Sequence, residues 1–323
     1  MVPAGVPEEL LTSLADEVQP ALVEFAFVCD GETWVWPAHG GDGLFHIGSS
    51  TKTFTALLLA DMVDRGQVSL EDAIGAYYPQ ARGCADVTLR ELATHTSGLP
   101  QLPDPLPARG GQCPHDPYSA ITAADMMEAA QRARPGPRRG EFEYSNFGYA
   151  LLGVVLATAA RASFESLLRA RVLDPLGLRD TTFDVHTDER LVDGHDLGGV
   201  AVPHWHNPAM AGCGSLLSTV ANLGRYLAAQ LRPNVTPLAG SIEATHRPLV
   251  QRSGRQATAL GWAIDDVDTS PRYWHNGGTY GFSAYAAFKP AAAVGVAAVL
   301  SQTPCRDGRL ERLGNTLLDG LGA

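Results

Sequence analysis

Lysine is almost missing from this chain. Of 24 basic residues in 323, only Lys52 and Lys289 are lysines, and the other 22 are arginines. Arginine keeps its proton at any working pH, so a role that needs an amine able to shed one falls to one of two positions. Cysteine is sparse as well. Cys29, Cys84, Cys113, Cys213 and Cys305 are odd in number and show no C-x-x-C spacing, which predicts neither a disulfide framework nor a zinc site. No metal and no cofactor are expected. Positive charge is in deficit, with a formal net charge of −11, which argues against nucleic acid or an anionic membrane surface as partner. Long apolar runs are also lacking. The longest, residues 149–160, is too short to span a bilayer. The first residues carry Glu8, Glu9, Asp16 and Glu17 without a basic start or an apolar stretch, so a signal peptide is not expected and a cytoplasmic location is.

What remains is ordinary globular material, 45% hydrophobic and 18% charged, large enough at 34.3 kDa for one big domain or two coupled ones. Residues 7–18 read as an amphipathic helix with Leu10, Leu11, Leu14 and Val18 on one face. Two β-rich runs, 21–29 and 33–36, flank a turn at Asp30-Gly31 and predict a hairpin. A helix is predicted over 49–65, burying Phe54, Leu57, Leu58 and Met62 and stopping at Gly66. Thr88-Leu89-Arg90-Glu91 forms a capping-box start. Six prolines within 100–117 predict an irregular loop there. Further helices fit 123–134, 147–160, 164–172 and 215–231; strands fit 259–265, 281–288 and 294–301, before a closing helix near 310–318. The expected fold class is α/β (α+β): an antiparallel sheet flanked by helices and built from both termini, with a mainly helical region inserted. On this reading 1–75 and 240–323 form the sheet-containing domain and 76–239 the insertion.

Three segments carry chemistry. In Ser49-Ser50-Thr51-Lys52 the serine and the lysine stand three apart at a helix start, so they share a face. A serine hydroxyl is a weak nucleophile until a base takes its proton, and a lysine can be that base. Tyr144-Ser145-Asn146 precedes the helix predicted from Phe147; a phenol can relay a proton, and an amide side chain can hold a substrate carbonyl or amide. His275-Asn276-Gly277-Gly278-Thr279 leads into a late strand. Its H-x-G pattern is common and recurs at His39-Gly40-Gly41 and His46-Ile47-Gly48, so order and context give it weight. His204 and His206 alternate as metal ligands would, without an evident third. His95 reads as a helix end, Cys213 as a small packed residue, and Trp34, Trp36, Trp262 and Trp274 as core or pocket wall.

These segments, in this order, resemble the serine β-lactamase and penicillin-binding family, particularly its class C-like esterases and DD-peptidases. The resemblance extends through Phe45 to Ser49, Thr94 to Pro100, Tyr144 to Gly153, Pro175 to Leu178 and Ser218-Thr219. It implies Ser49 as acylated nucleophile, Lys52 as general base and Tyr144 as partner in proton transfer. It also implies Asn146 as a substrate contact and His275 lining the site from the sheet edge, with Gly277 beside it. The backbone N–H groups of Ser49 and Gly278 would form the oxyanion hole. The chain departs from the family where His275-Asn276-Gly277 replaces the K-T-G of β-lactamases, which removes a fixed ammonium. It departs again at His46, where relatives often carry arginine, and at Asn222, where they often carry aspartate. The expected activity is hydrolysis of a small ester or amide. The alternatives are a transacylase passing the acyl group to an amine or alcohol, and a silent binding protein on the same fold. The oligomeric state is not readable from these residues.

Overall fold

A computed structural model of the chain describes residues 2–38, 40–104, 116 and 118–322. Most of the proline-rich stretch at 100–117 therefore lies outside the described residues. The central feature is an eight-stranded sheet whose described neighbours all pair antiparallel. Its strands are β1 (Val23–Cys29), β2 (Glu32–Trp36), β3 (Val250–Ser253), β4 (Gln256–Thr258), β5 (Ala263–Asp265), β6 (Arg272–Thr279), β7 (Phe282–Lys289) and β8 (Val294–Leu300). In space they run β2-β1-β8-β7-β6-β5-β4-β3, so the first hairpin docks on the last strand, with Phe25 opposite Ala298. The hairpin turns at Asp30-Gly31, where both residues take the left-handed conformation that aspartate and glycine tolerate best.

Side chains alternate along β1 between two cores, as a period of two requires. Phe25 and Phe27 pack with Leu11, Leu14, Leu317 and Leu318 from the helices Glu8–Glu17 and Arg309–Leu321. Ala26 and Val28 face the larger core on the other side, shared with the helices Thr51–Asp64 and Val220–Leu231. Gly224 lets the second of these lie close against the sheet, since a Cβ there would sit 2.9 Å from that of Ala26. The helix Thr51–Asp64 is buried from Thr51 through Met62, on every side rather than on one face. A helix with apolar or satisfied side chains all round belongs in an interior. Its buried Asp61 is held by Arg65 at 2.8 Å and by Arg171 at 2.6 Å, tying its far end to the segment Arg169–Leu173. No single described helix is long and apolar enough to cross a membrane.

Three expectations need correction. The helix predicted over 215–231 begins only at Val220, because Leu217–Ser218 pairs as a short strand with Phe45–His46 and Thr219 caps the helix. The strand predicted over 259–265 begins only at Ala263; it forms a hairpin with β4, turning at Gly261 with φ 76°. The segment His275 to Thr279, read as a lead into a strand, is itself part of an eight-residue strand, Arg272–Thr279.

That strand positions the site. β5 pairs with β6 only from Arg272 to Trp274, so His275 to Thr279 have no strand partner on that side among the described residues. The backbone of residues 47–50 lies against it instead: a Cβ on Gly277 would stand 1.9 Å from the Ile47 carbonyl oxygen and 3.0 Å from the Ser50 nitrogen. Two backbones this close admit only glycine. Gly277→Ala is expected to cost about 1–3 kcal/mol by overpacking. Gly136→Ala, whose Cβ would meet its nearest neighbour at an ordinary 3.4 Å, serves as the control. Equal chemical-denaturation midpoints for the two variants would contradict the close approach.

Candidate active site

Ser49 sits in a 3-10 turn, Gly48–Ser50, which runs straight into the helix Thr51–Asp64. Gly48 takes φ 47°, and a Cβ there would lie 2.6 Å from the Gly278 nitrogen. The turn is therefore pressed edge-on against β6. Lys52, in the first helical turn, has no exposed surface. Its Nζ donates to Ser49 Oγ at 3.0 Å, to Asn146 Oδ1 at 2.8 Å and to the Cys213 carbonyl at 2.6 Å. The Tyr144 hydroxyl donates to Ser49 Oγ at 2.7 Å. The serine oxygen is thus held between an amine and a phenol.

Local structure explains how these side chains come to meet. Ser145 caps the helix Asn146–Ala160 by accepting from the Gly148 N–H at 2.9 Å, and its hydroxyl donates to the Pro100 carbonyl at 2.7 Å. Asn146 is therefore the first helical residue, and its Nδ2 donates to the Tyr118 hydroxyl at 3.3 Å. Tyr144 precedes the cap, where the backbone is extended and the ring swings toward the serine. His95 braces that ring. It adopts φ 58°, its Nδ1 accepts the Ser145 N–H at 3.0 Å, and its ring lies 4.5 Å from that of Tyr144. With Nδ1 accepting, the proton of the neutral imidazole is assigned to Nε2.

His275 is buried at the exposed edge of β6, and burial, helped by Lys52, pushes its pKa down to about 3. It stands there as a neutral imidazole, with no ammonium in its place. Gly277 and Gly278 form the strip of strand beside Ser49. Of the seven expected site positions, Ser49, Lys52, Tyr144 and Asn146 thus join in one hydrogen-bonded group, and His275, Gly277 and Gly278 lie on the strand packed against the Ser49 turn. Two contributors were not recognised in the sequence. His95 looked like a helix end, and Cys213 acts through its carbonyl rather than its side chain. The flanking Gly212 and Gly214 were the only signal for the latter. The alternating histidines part company: the His204 ring stacks on His46 at 5.4 Å, and His206 lies 5.0 Å from His186. Among the described residues no group of three or more metal-ligating side chains forms.

The Beta-lactamase family model matches residues 20–318. This chain belongs to the β-lactamase family. Within that family it is similar to the D-alanyl-D-alanine-carboxypeptidase/endopeptidase AmpH of Escherichia coli strain K12, at 26% identity over 81% of this chain and 72% of the relative. It is 28% identical to a β-lactamase of Lysobacter lactamgenus, over 88% of this chain and 80% of the relative. It is also 28% identical to penicillin-binding protein 4 of Amycolatopsis lactamdurans, over 80% and 72% respectively. The serine-lysine pair, the tyrosine segment and the glycine strip of β6 all lie inside the matched span.

The buried imidazoles predict that this β-lactamase-family chain loses stability in acid. Burial pushes His46 and His275 down to about 3 and His246 to about 4, and holds His95 well below 6.5. Each stays neutral when folded, whereas in the unfolded chain it takes up a proton near pH 6.5. The folded pKa lies below the unfolded one, so this stability is fully present above about pH 6.5 and is lost as pH falls through the folded values of about 4 and 3. Glu24, pushed up to about 7 by burial, works in the opposite direction between pH 4.5 and 7, as one group against four. Unfolding free energy is expected to fall between pH 6.5 and 5, and less steeply in His246→Leu, which lies away from the cleft. A flat profile down to pH 5 would contradict these assignments.

Proposed function

We propose that this chain is a serine acyl-enzyme hydrolase acting on a small ester or amide. The observation that carries the reading is Ser49 Oγ held between Lys52 Nζ at 3.0 Å and the Tyr144 hydroxyl at 2.7 Å. Lys52, whose amine N–H groups are engaged by Asn146 Oδ1 and the Cys213 carbonyl, takes the serine proton as Oγ forms a bond to the substrate carbonyl carbon. The resulting oxyanion faces the backbone N–H groups of Ser49 and Gly278, where fixed donors stabilise charge that develops in the transition state. Tyr144 gives a proton to the leaving oxygen or nitrogen as its bond to carbon breaks, and Lys52 restores that proton to the phenol. Water then repeats the sequence in reverse and releases the acid. Asn146, fixed between Lys52 and Tyr118, holds the amine in place and presents an amide edge to substrate.

The names of the relatives, a carboxypeptidase and a β-lactamase among them, support hydrolysis as the class of reaction. Neutral His275 counts against a β-lactam as the physiological substrate, since no ammonium waits on β6 for its carboxylate. Lys52→Arg is expected to lose as much acylation as Lys52→Ala, on the order of 10²–10⁴-fold, because the guanidinium keeps the charge but cannot accept a proton. Tyr144→Phe should fall in the same range with a poor leaving group and lose less with an activated phenol. Rates of phenol release from a short activated ester provide the measurement. Near wild-type acylation by the arginine variant would remove Lys52 as the base.

A further inference from the structure

Two exposed histidines meet outside the group of side chains around Ser49. The rings of His186 and His206 have centres 5.0 Å apart and are tilted by 55°. Both residues use their backbone N–H groups in hydrogen bonds, and among the described residues no ring nitrogen of either does so.

Geometry favours this pair over the other one on the same segment. An ion about 2.1 Å from one nitrogen of each ring, at a tetrahedral angle, sets the ring centres about 5 Å apart. A tilt lets the in-plane lone pairs of two rings converge on one point. Stacked rings, as at His46 and His204 with 25° between them, aim theirs along nearly parallel planes.

Both backbones are held, so the pair is in place before any ion arrives. Asp184 Oδ1 accepts the His186 N–H at 2.8 Å and the Thr187 N–H at 3.3 Å, while Val185 packs with Leu44 and Leu217. The His206 N–H is donated to Asp116 Oδ2 at 3.2 Å, and the buried Asn207 accepts from the Ser215 hydroxyl. Asp184 and Asp116 also bring negative charge close to the two rings, which favours a cation.

What the pair spans is not otherwise filled. A cavity of about 190 Å³, bounded by Phe164, Phe183, Trp205 and His206, lies between the segments 183–187 and 204–207. The second segment borders the cleft: the Trp205 ring stands edge-on to that of Tyr118 at 5.1 Å, and the Tyr118 hydroxyl accepts from Asn146 Nδ2 at 3.3 Å. We propose that His186 and His206 bind one divalent transition-metal ion of the zinc or copper class, and that this ion ties 204–207 to 183–187. Imidazole nitrogens suit such ions, whereas Mg²⁺ and Ca²⁺ call for oxygen ligands. Among the described residues no third protein ligand joins the two, so the remaining positions go to water. The ion is a fastener at the rim of the cleft and stands apart from the acyl chemistry, so the inference does not depend on that reading.

Calorimetric titration of the chelator-treated protein with Zn²⁺ alone is expected to show one ion bound per chain, with Cu²⁺ tighter and Mg²⁺ not bound. His186→Ala and His206→Ala, at exposed positions on separate segments, should each weaken Zn²⁺ by more than about tenfold. His195→Ala is the control and should leave the affinity unchanged. Amide hydrogen exchange reports the tie. With Zn²⁺ at 100 times its dissociation constant, exchange at His206 and Asn207 should slow by about 100-fold in the wild type and stay unchanged in His186→Ala. No Zn²⁺ binding by the wild type overturns the site. Binding that either alanine variant retains, or that His195→Ala abolishes, overturns it as well. Binding that leaves exchange in 204–207 unaltered overturns the tie.

Discussion

A lysine amine with no exposed surface must find acceptors, and the arrangement of this cleft follows from that requirement. Lys52 Nζ is held by oxygens from three separate segments, namely Ser49, Asn146 and the carbonyl of Cys213. Leaving any of those positions empty would strand a buried polar group at a cost of about 1–3 kcal/mol. The helix Asn146–Ala160 must therefore start where it does, and the short helix Ala211–Gly214 must bring its backbone to the same point. Close packing makes that possible. Gly153 and Gly212 meet so tightly that a Cβ on Gly212 would stand 3.0 Å from the Gly153 Cα, and the Thr55 hydroxyl donates to the Gly212 carbonyl at 2.7 Å.

A second constraint is the approach of two backbones. The turn at Ser49 and the free edge of β6 lie closer than side chains would allow, which explains glycine at 48 and 277 without appeal to flexibility; at 278 a Cβ would instead meet the Pro304 ring at 2.4 Å. This contact brings Ser49 beside strand N–H groups, and the strand is free to receive it because β5 stops pairing at Trp274. The same burial that makes the contact tight keeps His275 neutral. The cleft thus sets a serine, a lysine and a phenol beside a neutral imidazole.

Much of this was legible in the sequence, and the reason is local. Ser49 and Lys52 share a helix start, Tyr144 and Asn146 flank a serine cap, and the first hairpin announces itself at Asp30-Gly31. Each of these depends on spacing within a few residues. The strand β6 escaped notice because His275, Asn276 and two glycines have little intrinsic strand preference; its pairing with β7 and its contact with the Ser49 turn decide its conformation. The helix predicted from 215 began too early because Leu216 and Leu217 continue an apolar pattern that a tertiary strand pairing overrides. His95 acts across a long separation in the chain, on Ser145 and Tyr144. Cys213 acts through an atom that every residue possesses, so no side-chain pattern could have marked it.

The account stands or falls on Ser49 becoming acylated. The direct measurement is rapid acid quench of the protein after mixing with a short activated ester, followed by intact-mass analysis and peptide mapping. A mass increase equal to the acyl group, confined to the peptide containing Ser49 and absent in Ser49→Ala, is the expected result. Ester turnover with no acyl adduct, or an adduct on another residue that persists in Ser49→Ala, would contradict it.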